Sequence, residues 1–165
     1  MADKFDPGRG ILLVNRAARQ KGANGLALPL SRWMGIHNHH ISNADVSSGS
    51  ISLDNEVVHV EKAVQRGVLD TLWVPVFRDN NHFSLYKVDF RHRELFYGDS
   101  LHLNKPISEH CMLLAMYAER MLPGPPLRLS SHRLPVPLQQ DGLSCGDIVL
   151  STIATEVIGS PNGVT

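Results

Sequence analysis

One cysteine in the last quarter of the chain has the placement of a thiolate nucleophile. From Cys145 to Ile158 apolar residues recur at helical spacing, which predicts a largely buried helix that begins at the cysteine. The backbone N–H groups and the positive dipole end of a helix N-terminus favour the thiolate, which is the nucleophilic form. Gly142 and Gly146 flank Cys145 and leave room for a substrate backbone to pass close by. Cys145 is therefore the candidate nucleophile.

A histidine and an aspartate are predicted to meet on a β-hairpin. Residues 83–88 and 94–97 form two strand-like runs around a polar loop. If the turn lies near its middle, Asp99 sits opposite Ser84 and within one diagonal step of His82. A carboxylate in that position holds a histidine in the tautomer that can accept a thiol proton. His82 is the candidate base and Asp99 its orienting group.

The elements that must position these residues follow from periodicity and turn signals. Pro75 lacks the N–H that a ladder uses and argues that its strand lies at a sheet edge. Residues 1 to about 50 are predicted to be irregular, and residues 160–165 a disordered tail. The predicted helices are 53–68, 107–122 and 145–158, and the first of them is expected to end at Gly67. The predicted strands are 72–77, 83–88, 94–97 and 127–136. The fold class is α+β, with a small central sheet that carries His82 and Asp99 and a helix that begins at Cys145 packed against it.

Composition narrows the functional classes. The 165 residues, 42% of them apolar and 19% charged, suit one globular domain over residues 1–165. Sixteen basic and 16 acidic side chains give the chain no net charge, so no overall electrostatic field attracts polyanions. Neither nucleic acid nor a membrane surface is therefore an expected partner. Two cysteines without CxxC spacing, and no signal-peptide or membrane-span pattern, indicate a reducing compartment, the nucleus or cytoplasm. A monomer is expected.

Other reactive side chains have simpler readings. His37, His39 and His40 lack an acidic or thiol ligand at supporting spacing, so a solvated loop is favoured and no metal site is predicted. Cys111 lies inside a helical pattern and is predicted to be a core residue.

Three segments resemble the Ulp/SENP group of ubiquitin-like-protein peptidases. Trp73-Val74-Pro75-Val76 leading to His82-Phe83-Ser84-Leu85 is similar to that family's strand and histidine motif, and Tyr97-Gly98-Asp99-Ser100-Leu101 to its aspartate motif. Gln139-Gln140-Asp141-Gly142-Leu143-Ser144-Cys145-Gly146 is similar to its nucleophile motif. The resemblance spans residues 72–158. Phe83 stands where the family usually has tryptophan, and Ser144 where it often has aspartate.

The resemblance implies a papain-like fold and a cysteine peptidase that cleaves after the C-terminal glycine of a ubiquitin-like modifier, SUMO-type first. It implies a Cys145–His82–Asp99 triad with Gln139 in the oxyanion hole, although Gln140 fills that position in another loop register. It further implies substrate contacts by Trp73, Phe83 and Gly146, and no cofactor. Two alternatives remain at this point: a non-catalytic module that binds ubiquitin-like proteins, and a papain-like acyltransferase.

Overall fold

The computed structural model describes residues 7–27, 55–78, 82–101, 106, 108–141 and 144–159. Within these ranges helices and strands alternate irregularly along the chain, as an α+β fold requires. In chain order the elements are α1 (Pro7–Gln20), β1 (Gly25–Ala27), α2 (Asn55–Gln65), β2 (Thr71–Arg78), β3 (His82–Asp89), β4 (Glu94–Asp99), α3 (Ser108–Met121), β5 (Arg128–Arg133) and α4 (Cys145–Ile158). The predicted α+β class and the predicted helix that begins at Cys145 are confirmed.

The five strands form one mixed sheet in the order β1-β2-β3-β4-β5. The strands β2, β3 and β4 pair antiparallel, whereas β1 and β5 add in parallel at the two sides. In the β3–β4 hairpin Ser84 lies directly opposite Asp99, which confirms the predicted register. A slip by one residue would send every side chain of a strand to the other face, so this register decides which groups meet.

The sheet is covered by helices on both faces. Alternation along β2 sends Leu72, Val74 and Val76 toward α2 and α3, while Trp73 belongs to the cluster formed with α1 and α4. The side chains of the hairpin divide in the same way. Tyr86 belongs to the cluster formed with α2 and α3, which we call the first cluster, and Leu85 to the cluster formed with α1 and α4, the second cluster. The helix that carries Cys145 is thus anchored to the sheet through the second cluster.

The expectation of an irregular N-terminal region is wrong for α1 and β1. Ile11, Val14 and Ala18 are buried, and their spacing of three and four residues is that of one helix face. The Asn15 side chain fastens the two elements together: its Nδ2 donates to the Ala27 carbonyl at 2.7 Å, and the Ala27 N–H donates to its Oδ1 at 2.8 Å. Glycines obscured this helix in the sequence.

The expectation that Pro75 marks an edge strand is also wrong. β2 is the second strand of the sheet and pairs along its whole length with β3. The described part of β1 pairs only with residues 71–73 of β2, so the missing N–H of Pro75 falls beyond that ladder. Within the described residues, Pro75 therefore lies beyond the part of β2 that pairs with β1.

The remaining boundaries fall close to their predicted positions. α2 ends at Gln65, and Gly67, the expected terminator, follows two residues later with a φ of +69° that closes the helix. Val68 N–H then donates to the Ala63 carbonyl and Gly67 N–H to the Val64 carbonyl, both at 3.0 Å. β5 is shorter than predicted, and residues 134–140 after it belong to no helix or strand.

Some expectations concern residues outside the described ranges. The histidine cluster at 37–40 and the tail at 160–165 lie there, and the assignment of the whole chain to one domain stays a prediction. Among the described helices none has the length and apolar character to cross a bilayer.

Candidate active site

The candidate base and its candidate orienting carboxylate form a buried pair at the open end of the hairpin. His82 is the first residue of β3 and Asp99 the last of β4. His82 Nε2 lies 2.8 Å from Asp99 Oδ1, and the two side chains are only 6% and 1% exposed. An ionised carboxylate can only accept, so Nε2 carries the hydrogen of this bond. In the neutral ring, Nδ1 is then the nitrogen that can accept a proton.

Two further donors hold Asp99 in place. Tyr97 Oη donates to Asp99 Oδ2 at 2.8 Å, and the Leu101 N–H donates to Oδ1 at 2.8 Å. Together with His82, these donors engage both carboxylate oxygens. The carboxylate cannot rotate without breaking them, so it fixes the orientation of the imidazole.

Cys145 is the first residue of α4 and is 5% exposed. The turn before it is closed by Asp141, whose Oδ1 accepts from the Ser144 N–H at 2.8 Å and whose Oδ2 accepts from Ser144 Oγ. The Ser144 carbonyl accepts the Ile148 N–H at 2.9 Å and starts the helix. A side-chain clamp in the loop therefore sets where α4, and its cysteine, begin.

The start of α4 and the start of β3 meet at a small apolar cavity. Phe83, next to His82, and Gly146, next to Cys145, both line it. Ile11 of α1 and Pro75 of β2 also contribute, with Val149, Leu150 and Ile153 of α4. Two of the three predicted substrate-contact residues thus reach one cavity, between the elements that carry the candidate base and nucleophile.

Gln139 is tied to the end of β4. Its N–H donates to the Ser100 carbonyl at 2.7 Å, and its Oε1 accepts from Ser100 Oγ at 3.0 Å. Its Nε2 donates one hydrogen to the Asp141 carbonyl. The side chain is buried and anchored beside Asp99, whereas Gln140 is exposed. A second Nε2 hydrogen remains for a further acceptor.

Trp73 does not lie with these residues, which corrects the predicted substrate contact. It is 3% exposed, and its indole packs near Gly25 and Val157. Val157 is twelve residues after Cys145, roughly 18 Å along a helix that rises about 1.5 Å per residue. Lys87 Nζ lies 5.4 Å from the Trp73 ring centroid, which places the indole well down β3 from His82. Trp73 is a core residue at the far end of α4.

Three supporting residues were not predicted from the sequence. Tyr97 donates to Asp99, Ser100 anchors Gln139, and Asp141 closes the turn before Cys145. Tyr97 and Asp99 are separated by two positions on one strand, so they share a sheet face, and this spacing could have identified the pair. The contacts of Ser100 and Asp141 depend on loops that pack together only in the folded chain.

The second cysteine has a different environment. Cys111 is half-buried in α3, and burial raises the pKa of its thiol above the usual range. A raised pKa lowers the thiolate fraction at neutral pH, so Cys111 is a poor nucleophile. In the part of the chain that the structure describes, no group of three or more His, Cys, Asp or Glu side chains is placed to hold a metal ion.

No protein-family model and no curated protein sequence matches this chain. Solved structures do match. The SUMO protease Ulp1 with its catalytic cysteine oxidised to a sulfinic acid superposes at a TM-score of 0.65 and 16% identity, covering 99% of this chain and 71% of that one. The C-terminal Ulp1 protease domain in complex with Smt3, the yeast ortholog of SUMO, gives 0.62 at 17% identity over 95% and 67%. The Xanthomonas campestris effector XopD bound to ubiquitin gives 0.51 at 21% identity over 92% and 74%.

These similarities establish the fold. The chain has the papain-like α+β architecture of Ulp-type proteases, and the predicted fold class is confirmed.

Proposed function

We propose that this chain is a cysteine peptidase that hydrolyses the bond after the C-terminal glycine of a ubiquitin-like modifier, with SUMO-type modifiers as the first candidates. The observation that carries the proposal is the buried His82–Asp99 pair at the strand end that meets the Cys145 helix. The two matched Ulp1 structures are of a cysteine-dependent SUMO protease, and that likeness supports the same reaction class.

In the first half of the reaction His82 Nδ1 takes the Cys145 thiol proton, and the sulfur attacks the glycine carbonyl carbon. A tetrahedral adduct forms. The C–N bond then breaks as the imidazolium returns its proton to the leaving amine, and a thioester remains on Cys145. Asp99 keeps its charge and holds the ring in the orientation that both proton transfers require.

In the second half a water molecule occupies the place of the departed amine. His82 takes one of its protons, the hydroxide adds to the thioester carbonyl, and the C–S bond breaks. The sulfur regains a proton from His82, and the modifier leaves with a free carboxylate. The cycle balances without an external reductant or cofactor.

The negative oxygen of each tetrahedral adduct needs donors in fixed positions. Gln139 Nε2 and the Cys145 backbone N–H are the proposed donors. The anchoring of Gln139 to Ser100 on both its backbone and its Oε1 supports the assignment, because the amide is oriented before substrate arrives. Its exposed neighbour Gln140 has no comparable anchor among the described contacts.

The substrate class rests on the cleft as well as on the fold. A Gly-Gly tail has no side chains, so it suits a site whose neighbouring residues include the flat ring of Phe83 and the Cβ-free backbone of Gly146, which line one small cavity. The XopD and Ulp1 structures contain ubiquitin and Smt3 respectively, which makes a folded modifier the partner to test.

The test is covalent trapping by modifiers that carry a thiol-reactive group at the C-terminus. SUMO and ubiquitin probes should each be tried, and the adduct mapped by mass spectrometry. We expect labelling of Cys145 that disappears in Cys145→Ala and persists in Cys111→Ala, since burial keeps Cys111 largely in the thiol form.

Labelling confined to Cys111, or absent with every probe while the protein is folded, would overturn the peptidase proposal. Retained affinity for an unreactive modifier in that case would identify a binding module. Acyl transfer from coenzyme A thioesters would identify the acyltransferase.

A further inference from the structure

Asp141 is hydrogen-bonded on two sides, toward Gln139 and toward the turn that precedes Cys145. Its backbone carbonyl accepts from Gln139 Nε2, and its carboxylate accepts from Ser144, the residue directly before Cys145. Gln139 Nε2 and the Cys145 N–H are the two proposed oxyanion donors. One residue therefore contacts the supports of both donors, although it takes no proton and touches no reacting atom in the proposed reaction.

The Asp141 carbonyl fixes which way the Gln139 amide faces. A primary amide has an acceptor end and a donor end, and half a turn exchanges them. Here Oε1 accepts from Ser100 Oγ at 3.0 Å, while one Nε2 hydrogen goes to the Asp141 carbonyl. A flipped amide would direct its oxygen at that carbonyl, and two acceptors repel. The donor end of Gln139 is therefore held in the direction that Asp141 sets.

The Asp141 carboxylate holds the peptide group that contains the second donor. Its Oδ1 accepts the Ser144 N–H at 2.8 Å, and its Oδ2 accepts from Ser144 Oγ. On the other side the Ser144 carbonyl accepts the Ile148 N–H at 2.9 Å. In a trans peptide the carbonyl and the following N–H point in opposite directions, so a carbonyl directed along α4 turns the Cys145 N–H away from the helix. Both ends of Ser144 are fixed, and the direction of the Cys145 N–H is fixed with them.

The Ser144 hydroxyl contacts Asp141 and does not cap the helix. A serine directly before a helix usually accepts a backbone N–H of the first turn with its side chain. Ser144 makes no such bond, and its φ of −88° and ψ of 5° lie outside the extended conformation typical of a capping residue. Its Oγ donates to Asp141 Oδ2 instead. The local structure thus favours the contact with Asp141 over the usual helix cap.

We propose that Asp141 is a positioning residue that orients both oxyanion donors, the Gln139 amide through its carbonyl and the Cys145 N–H through its carboxylate. The inference rests on the proposed function and adds what holds the oxyanion hole in shape before substrate binds. Negative charge develops on the glycine oxygen only after the sulfur attacks, so misaligned donors raise the energy of the adduct and leave binding unaffected. Loss of the Asp141 side chain should therefore slow the chemical step.

The test is a graded series of substitutions at Asp141. Asp141→Asn keeps an amide oxygen for the Ser144 N–H and removes the charge, Asp141→Ser keeps a weaker acceptor, and Asp141→Ala keeps none. Turnover is measured on a fluorogenic amide of SUMO or of ubiquitin, whichever wild type cleaves. We expect kcat to fall on the order of tenfold in Asp141→Ala, less in Asp141→Ser and by less than about threefold in Asp141→Asn. KM should stay within about twofold of wild type in all three.

Alkylation of Cys145 by iodoacetamide separates the two donors from the thiol. The thiolate forms a C–S bond and iodide leaves, so the reaction develops no oxyanion and depends on the thiolate alone. We expect the rate constant of Asp141→Ala at pH 7, measured by mass spectrometry of the Cys145 adduct, to be no lower than about one third of the wild-type value. A general disturbance of the loop would lower this rate together with kcat.

Asp147→Ala is the matched control. Asp147 is an exposed carboxylate in the first turn of α4, so its removal changes the charge near Cys145 without touching the contacts of Asp141. Its kcat should stay within about twofold of wild type, because a charge next to the thiol does not orient the donors. A Gln139→Ala background supplies a second check: there Asp141→Ala should cost less than in wild type, since one of the two donors it orients is already gone.

Unchanged kcat in folded Asp141→Ala, while wild type is active, would overturn this proposal alone. So would equal losses in Asp141→Asn and Asp141→Ala, which would assign the effect to charge, or an alkylation rate that falls as far as kcat, which would assign it to the thiol. If circular dichroism shows that Asp141→Ala does not fold, Asp141→Ser against Asp141→Asn decides by the same criteria. Wild-type protein that cleaves no modifier would overturn the proposed function, and the role of Asp141 with it.

Discussion

The β3–β4 hairpin carries a histidine–aspartate pair at each end, and the two pairs have opposite surroundings. At the open end His82 Nε2 lies 2.8 Å from Asp99 Oδ1, with side chains 6% and 1% exposed. At the turn end His92 Nδ1 lies 2.9 Å from Asp89 Oδ2, with side chains 67% and 16% exposed. The residue types and distances match, so neither separates a catalytic pair from an ordinary one.

The difference lies in what surrounds each pair. Asp99 also accepts from Tyr97 Oη and the Leu101 N–H. Phe83, next to His82, lines the same cavity as Gly146, next to Cys145. Among the described residues Asp89 otherwise accepts only the His92 backbone N–H, and it closes the turn there. Burial, additional donors and a nearby nucleophile make the first pair a candidate for catalysis.

The two pairs should differ most in their effect on turnover when each histidine is replaced by alanine. His82→Ala should lower kcat/KM on a fluorogenic modifier by about 10²–10⁴, the usual contribution of a positioned base. His92→Ala should leave turnover unchanged, because its ring is exposed at the far end of the hairpin. Circular dichroism checks that both variants fold. Full turnover by folded His82→Ala would remove this histidine from the mechanism and end the contrast between the two pairs.

A second test of the difference between the two pairs uses Gln139, which is hydrogen-bonded to Ser100 directly after Asp99. Gln139→Glu keeps the shape and the acceptor for Ser100 Oγ but removes the Nε2 donors. We expect kcat to fall by about 10²–10³, roughly 2.7–4 kcal/mol, with KM little changed and Cys145 still labelled by a reactive probe. Gln140→Ala is the control and should behave as wild type. The reverse result would place Gln140 in the oxyanion hole.

The hydrogen bond from Tyr97 should matter less than the residues that touch the substrate. Tyr97→Phe removes one of the donors to Asp99 and should reduce kcat several-fold, because the carboxylate then orients His82 less firmly. KM should be unchanged, and circular dichroism must show the same folded fraction as wild type, because partial unfolding would also lower the apparent kcat at constant KM. Tyr117→Phe makes the same change at a buried hydroxyl with no hydrogen-bond partner among the described residues. That control should keep full activity; an equal loss in both variants would deny Tyr97 a positioning role.

The smallest effect is expected at the turn pair, on stability alone. Partial burial of Asp89 raises the pKa of its carboxyl, but hydrogen bonds from His92 and the charges of His92 and Lys87 outweigh it, so the net pKa is lowered. A lowered folded-state pKa contributes stability above the unfolded value of about 4, and this contribution is lost as pH falls through the folded pKa. Thermal unfolding of wild type and Asp89→Asn should differ by less than about 1 kcal/mol at pH 6.

That difference should shrink as the pH falls below about 4, because the Asp89 carboxyl then becomes protonated in the folded protein as well. Activity at neutral pH should be the same in both proteins. A greater gap at low pH than at pH 6 would contradict the assigned direction of the Asp89 pKa.

Strong local patterns were sufficient to predict much of the fold. The spacing from Cys145 to Ile158 predicted the bounds of α4, and the hairpin arithmetic placed Asp99 opposite Ser84. Both depend on interactions among residues close in sequence, where periodicity is informative. α1 was missed because its glycines weaken helix propensity, while its stability comes from Ile11 and Val14 packed against distant elements.

For the candidate site the sequence determined the residue types and the order of His82, Asp99, Gln139 and Cys145, because each stands next to a local turn or helix signal. Only the tertiary structure decided which of these groups share a location. It buried Trp73 far from the cleft, fixed Gln139 on Ser100, and placed α1 beside α4. Such contacts join segments that are far apart in sequence, and their formation depends on how both faces of the sheet are packed, which no local pattern records.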